Sequence, residues 1–139
     1  RMLPSNGAYN WKEDRIICEN NVGTLMHELA HSTGFKTRLN RNMSSAVGCT
    51  DIEVMLFGYP KAYIKEECTA ILSTFFLLVW FRITNRNCYK SALVSKRAYR
   101  IKTRDLLTWR NVCDSIKASK YVICNYFKEG VANEVCCNG

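Results

Sequence analysis

Near the start of the chain, Tyr9-Asn10-Trp11 is followed by the polar run Lys12-Glu13-Asp14-Arg15 and then by Ile16-Ile17-Cys18, a pattern that predicts two short strands joined by a turn. The period then lengthens. Apolar positions from about Val22 to Thr33 recur at helical spacing, with Asn20 or Asn21 placed to cap the first turn and Gly34 placed as a left-handed terminator. From Lys36 to Tyr59 no period is sustained, and Asn40, Asn42, Ser44, Ser45, Gly48 and Gly58 mark loops. A second strong helix is predicted from about Ala62 to Ile83, and further amphipathic helices over Ser91 to Tyr99 and Thr103 to Phe127. The last of these carries Leu106, Trp109, Val112, Cys113 and Ile116 at helical spacing. The expected class is α+β, with a small N-terminal sheet and a dominant helical part.

Length and composition narrow the picture. At 139 residues and 47% hydrophobic, residues 1–139 suit one domain around a single core, whether complete or part of a longer polypeptide. No segment has the polar, Pro-rich signature of disorder, and no basic-then-apolar leader is visible, so secretion is not expected. The longest apolar stretch, Ala70 to Phe81, is interrupted by Ser73 and Thr74. It falls short of the roughly 18 apolar residues a bilayer span requires, so it predicts a buried core helix, with membrane association as the weaker reading.

Cysteine and charge bear on compartment and partners. The eight cysteines include no Cys-x-x-Cys pair, which disfavours a zinc ribbon or a thioredoxin-type motif. Cys68, Cys113 and Cys124 fall inside apolar helical patterns where a reduced cysteine serves as a small hydrophobe, so free thiols in a reducing compartment are expected. Cys136 and Cys137 have no role by this reading. The formal net charge is +8, with Lys and Arg recurring over Lys36 to Arg41 and Arg82 to Arg110. That balance suits either a phosphate-binding face or an ordinary solvated surface, and no nucleic-acid signature decides between them.

The chemistry is concentrated in Met26-His27-Glu28-Leu29-Ala30-His31. Residues four apart share a helix face, so the two imidazoles can grip one cation from a rigid platform. Glu28 follows the first ligand directly and is placed to take a proton from water. Both histidines of the chain fall in this motif. A catalytic zinc site takes three protein ligands and keeps one open position, so the third ligand must be an Asp, Glu or Cys. Glu66 and Glu67 are the leading candidates because their helix, continued by an apolar run, is expected to pack on the first; Cys68 is the alternative. One of the two acids is expected to serve only as a first-turn acid favoured by the helix dipole.

Thr24-Leu25-Met26-His27-Glu28-Leu29-Ala30-His31-Ser32-Thr33-Gly34, followed by Arg38-Leu39-Asn40-Arg41 and then Tyr63-Ile64-Lys65-Glu66-Glu67-Cys68-Thr69-Ala70, resembles the metallopeptidase domain of ArdC-type anti-restriction proteins over about residues 9–127. The resemblance implies a zincin-like fold of the gluzincin type, with a small sheet over the zinc helix and a second helix supplying a glutamate. It implies Zn²⁺ bound by His27, His31 and Glu67, with Glu66 as the alternative, because related zincins place a small residue three positions after the ligand, as Ala70 stands to Glu67. The sequence departs from the pattern at Ile71, where an acid four positions beyond the ligand is common, and at Phe35. The single-stranded-DNA-binding region that precedes this domain in ArdC-like proteins is absent from these residues. The implied setting is a phage or mobile element acting against host defence in the cytoplasm of a bacterial cell.

Two functions follow as expectations. In the first, the chain is a metallopeptidase, a hydrolase of a peptide or protein substrate with Glu28 as general base. In the second, the zinc only ties the helices together and the basic face docks nucleic acid or a defence protein by charge. Glu28 favours the enzyme, since a structural site has no use for a base. Tyr59, Tyr63 and Arg38 are conceivable oxyanion-stabilising groups.

Overall fold

A computed structural model describes residues 7–42 and 51–127. The expectations for Ser44, Ser45, Gly48, Cys49, Cys136 and Cys137 lie outside them. Two strands, β1 (Gly7–Asn10) and β2 (Arg15–Cys18), form an antiparallel hairpin with Gly7 opposite Cys18 and Asn10 opposite Arg15. Helices follow: α1 (Val22–Ser32), α2 (Asp51–Phe57), α3 (Lys61–Trp80), α4 (Arg86–Ala92), α5 (Val94–Ala98), α6 (Thr103–Leu106) and α7 (Trp109–Tyr121), which runs on as a π-helical turn, Val122–Tyr126. The described residues are mostly helical with one two-stranded sheet, compatible with α+β. None of the helices described is long and apolar enough to cross a membrane.

The first helix starts as its sequence dictates. The Asn21 side chain accepts from the Thr24 N–H at 3.1 Å, which satisfies one of the orphan donors of the first turn. Its end differs from expectation. Thr33 caps it in right-handed helical geometry, and Gly34 does not take a positive φ. The chain continues instead through turns in which Gly34 N donates to His31 O and Phe35 N to Ser32 O, and the left-handed positions move to Asn40 and Asn42. Asparagine tolerates that region at little cost, and the reversal brings Arg41 back against α1.

Helix α3 is the centre of the fold. Glu66 through Thr74 are all buried, with α1 on one side and α7 on another. Its buried hydroxyls are satisfied within the helix, Ser73 Oγ donating to Thr69 O at 2.6 Å and Thr74 Oγ1 to Ala70 O at 2.7 Å. The buried residues of α7 are Asn111, Ser115, Ala118 and Ser119; of the larger residues at helical spacing, Leu106 is buried in α6 and Val112 packs against the same apolar cluster, while Trp109 and Ile116 face outward. Trp109 is 81% exposed and Ile116 45% exposed. Small residues let the two backbones approach, and Ser73 Oγ reaches Ser115 O at 3.3 Å, so close packing here selects size over hydrophobicity. The helix expected over Thr103–Phe127 is broken at Thr108, whose side chain caps α7 by accepting from Asn111 N. That expected over Ser91–Tyr99 is likewise two helices, and α2 forms where no period is sustained.

Two apolar clusters flank the middle of α3. One gathers Met26, Leu77, Leu78, Cys88, Val122 and Ile123, and the other Cys68, Ile71, Leu72, Tyr99, Ile101 and Leu106. Cys18, Cys68, Cys88 and Cys113 carry free thiols. Cys124, expected to be a reduced core residue, is instead disulfide-bonded; it lies half-buried in the π-helical turn and outside both clusters. One support for a reducing compartment is thereby removed.

Two substitutions test this architecture. A Cβ on Gly23 would stand 2.4 Å from the Cys88 carbonyl oxygen, because α4 crosses α1 there. Alanine is ordinarily better than glycine in a helix by about 1 kcal/mol. Overpacking against backbone costs roughly 1–3 kcal/mol, so Gly23→Ala is expected to lower the melting temperature. The hairpin turn is held by Asp14, which accepts from Arg38 Nη1 at 2.8 Å, Arg38 Nη2 at 2.6 Å and the Tyr9 hydroxyl at 2.7 Å. The Arg38 guanidinium holds the Asp14 carboxyl below its ordinary 3.8. Asp14→Asn keeps the left-handed turn residue and removes the charge, and is expected to cost about 1 kcal/mol near neutral pH. A depressed carboxyl pKa contributes stability above its unfolded value and loses it as pH falls through the folded one, so wild-type and variant melting curves should converge in strong acid.

Candidate metal centre

Helix α1 presents His27 and His31 one turn apart toward α3, which presents Glu67. His27 Nε2 lies 3.1 Å from Glu67 Oε2 and 3.2 Å from His31 Nε2, and His31 Nε2 lies 3.2 Å from Glu67 Oε1. Donor atoms of the three residues all lie within 4.8 Å of one another, and the residues are only 6%, 7% and 3% exposed. Three lone-pair-bearing groups facing one point in a low-dielectric interior demand a positive charge among them. The buried His27, His31 and Glu67 group can hold a metal ion.

The electrostatics describe the same demand from the protein's side. Burial alone lowers the pKa of His31, but the neighbouring charges of Glu67, Glu66 and Glu28 overcome it and raise the value well above the ordinary imidazole value. Burial alone would raise Glu67, yet His31 and His27 hold its carboxyl far below the usual carboxylate range. Both shifts have one cause, carboxylates and imidazoles buried against each other, and both favour a positive charge between the histidines and Glu67, which a bound metal ion would supply.

The remaining residues of interest divide clearly. Glu66 is buried and is not a first-turn acid, since α3 begins at Lys61. It accepts from His31 Nδ1 at 2.9 Å and from Arg41 Nε and Nη2 at 2.8 and 2.9 Å, and lies outside the three-residue group. Burial would raise its pKa, but Arg41 and then His31 lower it below the ordinary value. Cys68 points into an apolar cluster, and burial, with Glu67 and Asp105 nearby, pushes its thiol up to about 11, which makes it a poor ligand. Glu28 is 3% exposed, and no hydrogen bond or ion pair engages its carboxylate among the described residues. Its aliphatic stem lies under the hairpin: a Cβ on Gly7 would meet Thr24 Cγ2 at 2.7 Å and Glu28 Cγ at 3.3 Å. Arg38 is engaged by Asp14 and by Ser32 O, and Tyr63 by the Tyr99 hydroxyl.

The Arg41 clamp on Glu66 and the close seat of Gly7 over Glu28 were not among the sequence expectations. The signal for the first was present in two adjacent acids on one helix, since only one of them can face the same ligand set. The second leaves no mark beyond a glycine at the edge of a predicted strand. Comparisons of the chain with family models, with curated proteins and with solved structures return no match.

Divalent transition-metal ions are expected to raise the melting temperature of the metal-stripped protein, by about 4 kcal/mol of stability at a thousandfold excess over the dissociation constant. His27→Ala, His31→Ala and Glu67→Ala should each abolish that shift. A shift that survives all three substitutions would place the ion elsewhere.

Proposed function

We propose that the chain is a zinc-dependent metallopeptidase domain with a zincin-like fold, of the gluzincin type, in which His27, His31 and Glu67 hold the ion and Glu28 is the general base. One observation carries this reading: His27 Nε2 and His31 Nε2 stand 3.2 Å apart, one Glu67 oxygen lies 3.1 Å from the first and the other 3.2 Å from the second, and a buried glutamate without a hydrogen-bond or ion-pair partner among the described residues follows His27 directly. Ligands at zinc distances in tetrahedral array stand about 3.3 Å apart, close to the separation of the two imidazole nitrogens, and two imidazoles with one carboxylate leaving an open position is a known catalytic donor set. Calcium and magnesium prefer oxygen donors throughout, so two nitrogens favour zinc or a neighbouring transition metal.

When bound, the ion supplies Lewis acidity toward a carbonyl oxygen and acidifies water at the open position. The chain's own residues supply the rest. Glu28 follows His27 by one residue on a rigid helix and takes the proton that water loses on attacking a peptide carbonyl; the same carboxyl then returns a proton to the departing amine. The hairpin seated on the Glu28 stem limits the water around it, and a base with no competing partner is free for proton transfer. The substrate class is a peptide or protein. The likeness of the motif-bearing segments to ArdC-type anti-restriction domains supports a setting in a phage or mobile element, acting against host defence in the bacterial cytoplasm.

The depth of the donors supports a second reading, since structural zinc sites are closed. In it the metal only ties α1 to α3 and basic side chains dock nucleic acid or a defence protein. Not all of the charge is available for that, because Arg38 and Arg41 are committed to Asp14 and Glu66.

Glu28→Gln separates the two. The variant is expected to keep its fold and about one zinc per chain while hydrolysis of a quenched-fluorescent peptide library falls by roughly a hundred-fold to ten-thousand-fold. Should Glu28→Gln keep full biological activity, such as protection of incoming DNA, while His27→Ala loses it, the second reading stands and the enzyme reading falls.

A further inference from the structure

His31 meets carboxylates through both ring nitrogens, and the two contacts differ in kind. Its Nε2 faces His27 and Glu67. Its Nδ1 lies 2.9 Å from Glu66 Oε2, and that oxygen also accepts from Arg41 Nη2 at 2.9 Å while Oε1 accepts from Arg41 Nε at 2.8 Å. Arg41 does not hang from the carboxylate alone. Its Nη2 donates to Ala30 O at 2.8 Å and its Nη1 to Thr33 Oγ1 at 2.8 Å, so one guanidinium grips the end of the helix that carries His31 and the helix that carries Glu67.

From this arrangement, and resting on the metal reading above, we infer that Arg41 and Glu66 are positioning residues for zinc: together they fix His31 in the tautomer and ring orientation that presents the Nε2 lone pair to the ion. A carboxylate held in a guanidinium fork acts toward His31 only as an acceptor, so Nδ1 carries the proton and donates. A neutral imidazole has one N–H, and with it committed at Nδ1 the metal-facing nitrogen is Nε2. Such partners typically govern a ten- to hundred-fold share of metal affinity. A buried ion pair kept for stability alone is a poor bargain, since apolar replacements often serve as well. Here the pair has a specific task. The same residues answer the absence of an acid at Ile71, because the orienting carboxylate comes from Glu66, beside the ligand, instead of from the following turn.

The test measures zinc affinity by competition with a chromophoric chelator, together with the visible absorption of the cobalt(II)-substituted protein. Glu66→Gln must turn its amide N–H₂ toward either Arg41 or His31 Nδ1, setting donor against donor. It is expected to weaken zinc ten- to hundred-fold and to alter the cobalt spectrum. Arg41→Lys keeps the carboxylate but loses the fork, and is expected to weaken zinc by less. It carries the test if Glu66→Gln does not fold. Arg38→Lys breaks a different tie from the same loop and is expected to bind zinc as the wild type does, which separates positioning from general loosening of the loop. Wild-type zinc affinity and an unchanged cobalt spectrum in Glu66→Gln and Arg41→Lys would overturn the inference while leaving the metal reading intact. A wild-type chain that takes up no zinc would overturn both.

Discussion

The structure depends on the contact between α1 and α3, where two imidazoles and two carboxylates are buried against each other. Ionised groups withdrawn from water carry a penalty of several kcal/mol each, which contacts of ordinary quality only partly offset. The fold meets that penalty by matching every acid of the contact to a cation: Glu67 to the two histidines, Glu66 to Arg41 and His31. A simpler core would place leucines here. That the contact is polar, and that it gathers donor atoms of His27, His31 and Glu67 within 4.8 Å of one another, is the physical reason to regard it as a candidate metal site and not only as a device for stability.

The rest of the architecture serves that contact. The apolar clusters lie to either side of the polar middle of α3, so the helix is anchored by Leu77 and Leu78 toward one end and by Ile71, Leu72 and their partners on another face. Serines and alanines between α3 and α7 permit close approach, which fixes the axial position of α3 and with it the height of Glu67 against α1. Asn40 and Asn42 turn the loop after α1 so that Arg41 returns over the helix it has just left. Buried hydroxyls, backbone turns and the arginine clamp all act on the same variable, the relative placement of two helices.

The sequence makes some of this legible and hides the rest for identifiable reasons. The hairpin and the starts of α1 and α3 follow from local signals, namely a polar turn between short apolar runs, an asparagine cap and sustained helical spacing. That α3 brings an acid to His27 and His31 is as expected, because spacing on a helix is a local property and the apolar continuation of α3 forecasts its packing; that the acid is Glu67 and not Glu66 is implied only by the family resemblance. Trp109 and Ile116 face outward despite their helical spacing because a hydrophobic period assumes a core of large side chains, while the crossing of α3 and α7 is built from small ones. Gly34 is misjudged as a stop because tertiary bonds, including Arg38 to Ser32 O and Arg41 to Ala30 O, satisfy the terminal carbonyls of α1 without a left-handed residue. Cys124 is misjudged because a disulfide is a property of two positions and the periodicity of one segment cannot report it.

The contact of Gly7 with the Glu28 stem sets an unequal tolerance to change across the hairpin. Position 7 is where the sheet rests its weight, and the missing side chain there acts as a spacer of zero thickness between the strand and α1. A side chain at residue 7 would crowd Thr24 Cγ2 at 2.7 Å, Cys18 Cβ at 2.9 Å and Glu28 Cγ at 3.3 Å, so one of these neighbours or the strand itself would have to shift beside Glu28. A substitution that introduced crowding at residue 7 would therefore be felt beside Glu28, in how much solvent reaches that carboxylate, as well as in the seating of the hairpin on α1.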